Sequence, residues 1–169
     1  MKSLITCAAL LALPSFAMAA EPAPEIRRDA ATPQAIGALH TVRQIPEACA
    51  RIEGRFTGQP AQPYEMTVVR TSPQCQPRAR LVDYAKAQPS EATGWKLNDR
   101  FAIPSSACPG QQAVVRVWRK PVAARTPELD GQGQARIYLQ DAQQQAAAGK
   151  APAVTTFAVN LDVEGKSCR

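Results

Sequence analysis

Histidine occurs once in this 169-residue chain, tryptophan twice, and aromatic residues make up only 5% of it. One histidine leaves a Ser-His-Asp or Cys-His centre a single base, His40, and no serine stands in a nucleophile-elbow context. His40, in "LHTVRQ", reads as an ordinary strand or loop residue. No two cysteines are spaced as C-x-x-C, so neither a zinc ribbon nor a thioredoxin-type dithiol is suggested. No glycine-rich loop is built to cradle a phosphate. No run of consecutive basic residues reads as a nucleic-acid arm. Cofactor, metal and nucleic acid are therefore not expected.

Long apolar runs are also missing, apart from Leu4 to Leu13. That stretch is too short for a permanent span. It follows Lys2 and precedes small residues, the layout of a secretory signal peptide over residues 1–19, with Ala17 and Ala19 at the positions where signal peptidase requires small side chains. Lipidation at Cys7 fits poorly, because the cysteine precedes the hydrophobic segment. The expected product is exported to the periplasm or beyond, with no transmembrane span after cleavage. Loss of Lys2 leaves 19 basic residues against 14 acidic ones. That excess is modest and dispersed, suited to an envelope protein or an anionic polymer as partner.

Cleavage also removes Cys7 and leaves Cys49, Cys75, Cys108 and Cys168. An even number in an oxidising compartment argues for two disulfides. Residues 20–35 contain "EPAPEIRRDAATPQA", with three prolines and both signs of charge but no period. They read as a flexible leader. Residues 36–169 then form a single domain.

Within that domain the period is two. "YEMTVVR", "AVVRVWRK", "ARIYLQD" and "FAVNLDVE" alternate apolar and polar residues, and "GALHTVR", "ARIEGRFT", "RARLVDY" and "WKLNDRFAI" do so more weakly. Gly/Pro-rich turns separate them. The expected fold is all-β: one antiparallel sandwich or barrel of seven to eight short strands. Only "LVDYAKAQ" and "LQDAQQQAAAGK" leave room for a helical turn.

Folding Ala50–Thr57 against Tyr64–Ser72 around the Gln59–Pro63 turn, with Phe56 opposite Val68 and Gly58 opposite Met66, brings Cys49 opposite Cys75. Pro73 interrupts the second strand, which places the bridge just outside the ladder. Pairing Val117 with Val159 and Ala113 with Val163 brings Cys108 opposite Cys168 in the same way. It requires the strand around Ile137 to lie elsewhere.

Arg116, Trp118 and Lys120 share one face of a strand, an aromatic between two cations, and with Trp95 they form the expected binding surface for an anionic or carbohydrate-like ligand or a protein. Ser105 and Ser106 beside Cys108 read as turn formers. Asp162 and Glu164 read as the solvated face of the last strand. The function expected is a non-catalytic binding or interaction module, envelope-associated or inhibitor-like. The alternative is a small secreted hydrolase whose Asp/Glu residues meet only in the fold.

Overall fold

The computed structural model describes residues 21–122 and 154–168, with 131 and 148 as single positions. Seven strands run through the described residues: β1 (His40–Ile45), β2 (Ala50–Phe56), β3 (Tyr64–Arg70), β4 (Ala79–Val82), β5 (Lys96–Pro104), β6 (Gln111–Lys120) and β7 (Thr155–Gly165). One helical turn, α1 (Tyr84–Ala87), and two short 3-10 turns complete them. Each strand matches one of the alternating runs. The eighth run, Ala135–Asp141, lies outside the described residues, as do Leu139–Lys150 apart from position 148 and the N-terminal twenty residues.

The strands form two sheets, in orders β1-β2-β3 and β4-β7-β6-β5. In β2, Ala50, Ile52, Gly54 and Phe56 are buried while Arg51, Glu53 and Arg55 alternate outward, the pattern of a strand with one covered face. Together with Val42, Ile45 and Tyr64 they meet Phe101, Ile103, Ala113, Val115, Val117 and Phe157 of the second sheet in one core. The protein is therefore all-β, two sheets sharing one core. Among the named strands pairing is antiparallel except between β4 and β7, which run parallel; the isolated bridges of Ile26, Gln34 and Ile36 are parallel as well. Strands β4 and β7 are remote in sequence and need no hairpin, so the chain is free to lay them in either sense.

The ladder between β6 and β7 has the expected register, with Val117 against Val159 and Ala113 against Val163. The Cys108–Cys168 disulfide closes its end. The hairpin of β2 and β3 differs from expectation: Phe56 faces Tyr64, and Ile52 faces Val68. The turn is centred two residues earlier than the sequence suggested, because Thr57 N–H bonds the carbonyl of Pro63 at 3.0 Å and Gly58 turns the chain at φ 74°. Residue parity survives, so Ile52, Phe56 and Tyr64 keep their common buried face. The Cys49–Cys75 bridge lies beyond the ladder, with Cα atoms 5.8 Å apart. Arg70 secures that loop by donating to the carbonyls of Ser72 and Cys75 at 3.0 and 2.6 Å.

Residues 21–35, expected as a flexible leader, are instead laid along the outer edge of β5. Amides of Glu25, Ile26, Ala31 and Gln34 bond carbonyls of Leu97, Asn98, Ala102 and Pro104 at 2.8, 2.8, 3.1 and 2.9 Å. An edge strand offers unpaired carbonyls to any extended segment, so the leader needs no apolar period to dock there.

Candidate functional site

β6 is an inner strand with cover on both faces, and this decides the fate of the expected surface. Its odd positions, Ala113, Val115 and Val117, enter the core. On the other face Trp118 packs with Trp95, Leu97 and Ala158 under Val82, Tyr84 and Ala87. Trp118 is 7% exposed and Trp95 6%, which removes both aromatics from solvent. Ala158 stands directly across from Trp118 and leaves room for the indole. The grouping of Arg116, Trp118, Lys120 and Trp95 as a binding surface is therefore corrected. Lys120 keeps one link to it, its Nζ 5.9 Å from the centre of the Trp95 ring.

Arg116 is enclosed by carboxylates of Glu21, Asp162 and Glu164, the last two at 2.7 and 3.2 Å. Asp162 and Glu164 thus serve as partners of one guanidinium. Ser105 is buried, and its hydroxyl accepts the amide of Cys108 at 3.1 Å, whereas Ser106 donates to the carbonyl of Gln34 at 3.1 Å. His40 is engaged from both sides: its Nδ1 lies 3.0 Å from the carbonyl of Ala38, and its Nε2 lies 2.7 Å from the hydroxyl of Tyr64. Since a carbonyl only accepts, Nδ1 carries the proton and Tyr64 donates to Nε2. Burial pushes the Tyr64 phenol well above its ordinary range.

The structure assembles a different polar centre from residues that the sequence reading passed over. Between the sheets lies a cleft of about 460 Å³ whose polar walls are Glu25 of the leader, Arg43 of β1, Glu47, Arg78, Asn98 of β5 and Arg119 of β6. Glu25 is gripped there. The Arg119 guanidinium donates to both of its oxygens, one at 3.0 Å, and Asn98 Nδ2 donates at 3.0 Å. The Arg119 hydrogen bond, helped by Asn98 and opposed by partial burial, holds the Glu25 carboxyl below its usual range. Asn98 is 9% exposed, and its Oδ1 has no hydrogen-bond partner.

Next to Asn98, at an irregularity in the β5–β6 register, Asp99 is wholly buried. Arg28 of the leader reaches both of its oxygens at 3.1 and 2.9 Å. Arg43 brings Nε to 3.1 Å, too far off line to form a hydrogen bond. Burial raises the Asp99 carboxyl, and the two arginines offset that only in part. Arg78 forms no ion pair among the described residues; its backbone amide bonds the Glu47 carbonyl at 2.6 Å. Further along the same edge, Glu21 lies between Arg100, at 3.0 Å, and Arg116. Burial acts to raise the Glu21 carboxyl, but the two arginines together bring it below its usual range.

The signal for this centre was "KLNDR", where Asn98 and Asp99 put two polar residues at successive positions of β5, both buried in the structure. Buried polar residues require partners, and these draw theirs from the leader and β1. Among the described residues no group of three or more His, Cys, Asp or Glu side chains is arranged to hold a metal ion. None of the described helices is long and apolar enough to cross a membrane. The two disulfides fit an oxidising compartment outside the cytoplasm. Comparison of the chain with protein-family models, curated proteins and solved structures finds no match.

Proposed function

We propose that the chain is an exported, non-catalytic binding module that takes up an anionic group in the cleft lined by Arg43, Arg78 and Arg119. The observation that carries this reading is that Arg43, Arg78 and Arg119 line one concave space of about 460 Å³, with Arg78 lacking an acidic partner among the described residues. Guanidinium groups at a partly enclosed site bind carboxylates and phosphates through charge-assisted hydrogen bonds. The N-terminal signal pattern and the disulfides support export. Binding is favoured over hydrolysis because the residues that a hydrolytic site would draw on are committed: His40 to Tyr64, and both Asp162 and Glu164 to Arg116.

Calorimetric titration of the full chain with citrate and with inorganic phosphate tests this reading. Saturable binding that weakens with salt and drops at least tenfold in Arg78→Ala, at unchanged melting temperature, is the expected result. Absence of binding, or binding indifferent to Arg78→Ala, overturns it.

A further inference from the structure

The leader shows how a ligand sits on this protein, because it behaves as one. Over Glu21–Gln34 it makes only four backbone hydrogen bonds to β5 and two residue-to-residue bridges, at Ile26 with Asp99 and Gln34 with Ser105. Pro22, Pro24 and Pro33 have no N–H to give, so the segment cannot form a continuous ladder. Its specificity lies in two carboxylates. Glu25 fills the seat made by Arg119 and the buried amide of Asn98, and Glu21 fills the seat between Arg100 and Arg116.

We infer that these seats and the outer edge of β5 form a receptor for an acidic, extended segment of a partner protein, and that residues 21–26 of the leader occupy it until the partner displaces them. This rests on the reading of the protein as a binding module. The partner segment carries two carboxylates four residues apart in extended backbone, roughly 12 Å at about 3.1 Å per residue. Its amides replace those of Glu25 and Ile26 on the carbonyls of Leu97 and Asn98. Charge favours such a ligand. Removing Glu21 and Glu25 leaves Arg100 and Arg116 on one face of the sheet and Arg119 on the other, at the edge the leader crosses, with Asp162 and Glu164 of β7 the only acidic partners of Arg116 left among the described residues.

The leader need not come away whole. The Arg28 pair with buried Asp99, and the Ala31 and Gln34 hydrogen bonds, fasten it downstream of the two seats. The first six residues can therefore peel back from a fixed point. Tethering gives them an effective concentration of the order of millimolar, so they suppress weak competitors and yield to a segment with better contacts.

The test uses the full chain and a fluorescent peptide of leader sequence, Glu-Pro-Ala-Pro-Glu-Ile, added in trans. Wild type is compared with a Glu21→Gln/Glu25→Gln variant, whose own leader no longer competes. The variant should bind the peptide at least tenfold more tightly than wild type. Adding Arg119→Ala to the variant should abolish binding, and a peptide with Gln in place of both Glu should not bind. Equal affinity in wild type and variant overturns the inference, as does equal binding of the Gln peptide or no binding to a variant that melts as wild type does. Glu25→Gln alone serves if the double variant does not fold, with the same expectation in smaller measure. Arg78→Ala separates the two proposals: it should weaken citrate and leave the peptide unchanged. Citrate binding without peptide binding sinks this inference alone, and peptide binding without citrate binding sinks the small-anion reading alone.

Discussion

The phenol of Tyr64 donates to Nε2 of His40 across 2.7 Å, and its ring lies over the α-carbon of Gly54 on the neighbouring strand. Three strands meet in that contact, since His40 belongs to β1, Gly54 to β2 and Tyr64 to β3. It explains why the only histidine is occupied and why the hairpin takes its register. Tyr64 has to reach both the glycine and the imidazole, and setting Phe56 against Tyr64 allows it.

Tyr64→Phe should cost about 0.5–1.5 kcal/mol, the usual net contribution of one hydrogen bond. It should also alter the response to alkali. The folded state raises the phenol above its ordinary value of 10.0 through burial. The neutral phenol therefore contributes stability that is fully present below pH 10 and is lost as pH rises towards the folded value. Denaturant melts between pH 8 and 11 should show wild type losing stability above pH 10 more steeply than Tyr64→Phe. Parallel curves would refute the assignment.

Two glycines are placed under a steric demand that makes a graded prediction. A Cβ on Gly54 would stand 2.0 Å from the Tyr64 hydroxyl, and one on Gly165 would stand 2.0 Å from the backbone carbonyl of Gly110. Gly54→Ala displaces a side chain and should cost about 1–3 kcal/mol by overpacking. Gly165→Ala should cost more, because the obstacle is backbone and because φ 94° disfavours an L side chain. Thermal melts of the two variants give the order, and Gly165→Ala melting above Gly54→Ala would contradict it.

What could be read in advance followed from alternation. β6 and β7 carry ten paired residues of period two, enough to fix their register and to bring Cys108 to Cys168. Parity in the β2–β3 hairpin was legible for the same reason, whereas its offset was not: the Gly/Pro/Gln stretch from Thr57 to Pro63 does not declare where it turns. The burial of Trp118 escaped because period two separates two faces but cannot tell that α1 and Trp95 cover the second. Docking of the leader escaped for a deeper reason. It rests on backbone hydrogen bonds to an edge strand and on charges from distant elements, which leave no periodic trace. The one visible clue was Asn98 and Asp99 within a buried strand.

Burial of both tryptophans has an optical consequence. Emission should be blue-shifted, and acrylamide should quench it much less than it quenches free tryptophan. Trp118→Ala should cost about 3–5 kcal/mol, as large core truncations do. Arg116→Ala, in contrast, removes an ion-pairing group whose partners Glu21, Asp162 and Glu164 are themselves partly exposed, and should cost less than Trp118→Ala. Strongly quenched emission, or a Trp118→Ala variant as stable as wild type, would return the indole to the surface.

The leader should respond to acid separately from the body of the protein. Glu21 and Glu25 both lie below their ordinary value of 4.5 because arginines hold the charged form, even though burial opposes this. A carboxyl depressed on folding contributes stability that is present above its unfolded pKa and is lost as pH falls through the folded one. Asp99 has the opposite sign. Its carboxyl is raised by burial, so its contribution is present below 3.8 and is lost as pH rises through the folded value. Acidification should therefore discharge Asp99 first and then Glu21 and Glu25, loosening residues 21–26, while the Ala31 and Gln34 amides rest on β5 carbonyls that do not titrate. Amide exchange, expressed as protection relative to the intrinsic rate at each pH, reads this directly. Protection of the Glu25 and Ile26 amides should fall as pH drops below about 4.5. The Ala31 and Gln34 amides, bonded to the carbonyls of Ala102 and Pro104, should hold theirs. In Glu21→Gln/Glu25→Gln the first two amides should be weakly protected at every pH. If wild type keeps full protection at Glu25 and Ile26 down to pH 3, the two carboxylates do not hold the leader, and its attachment must come from the backbone bonds alone.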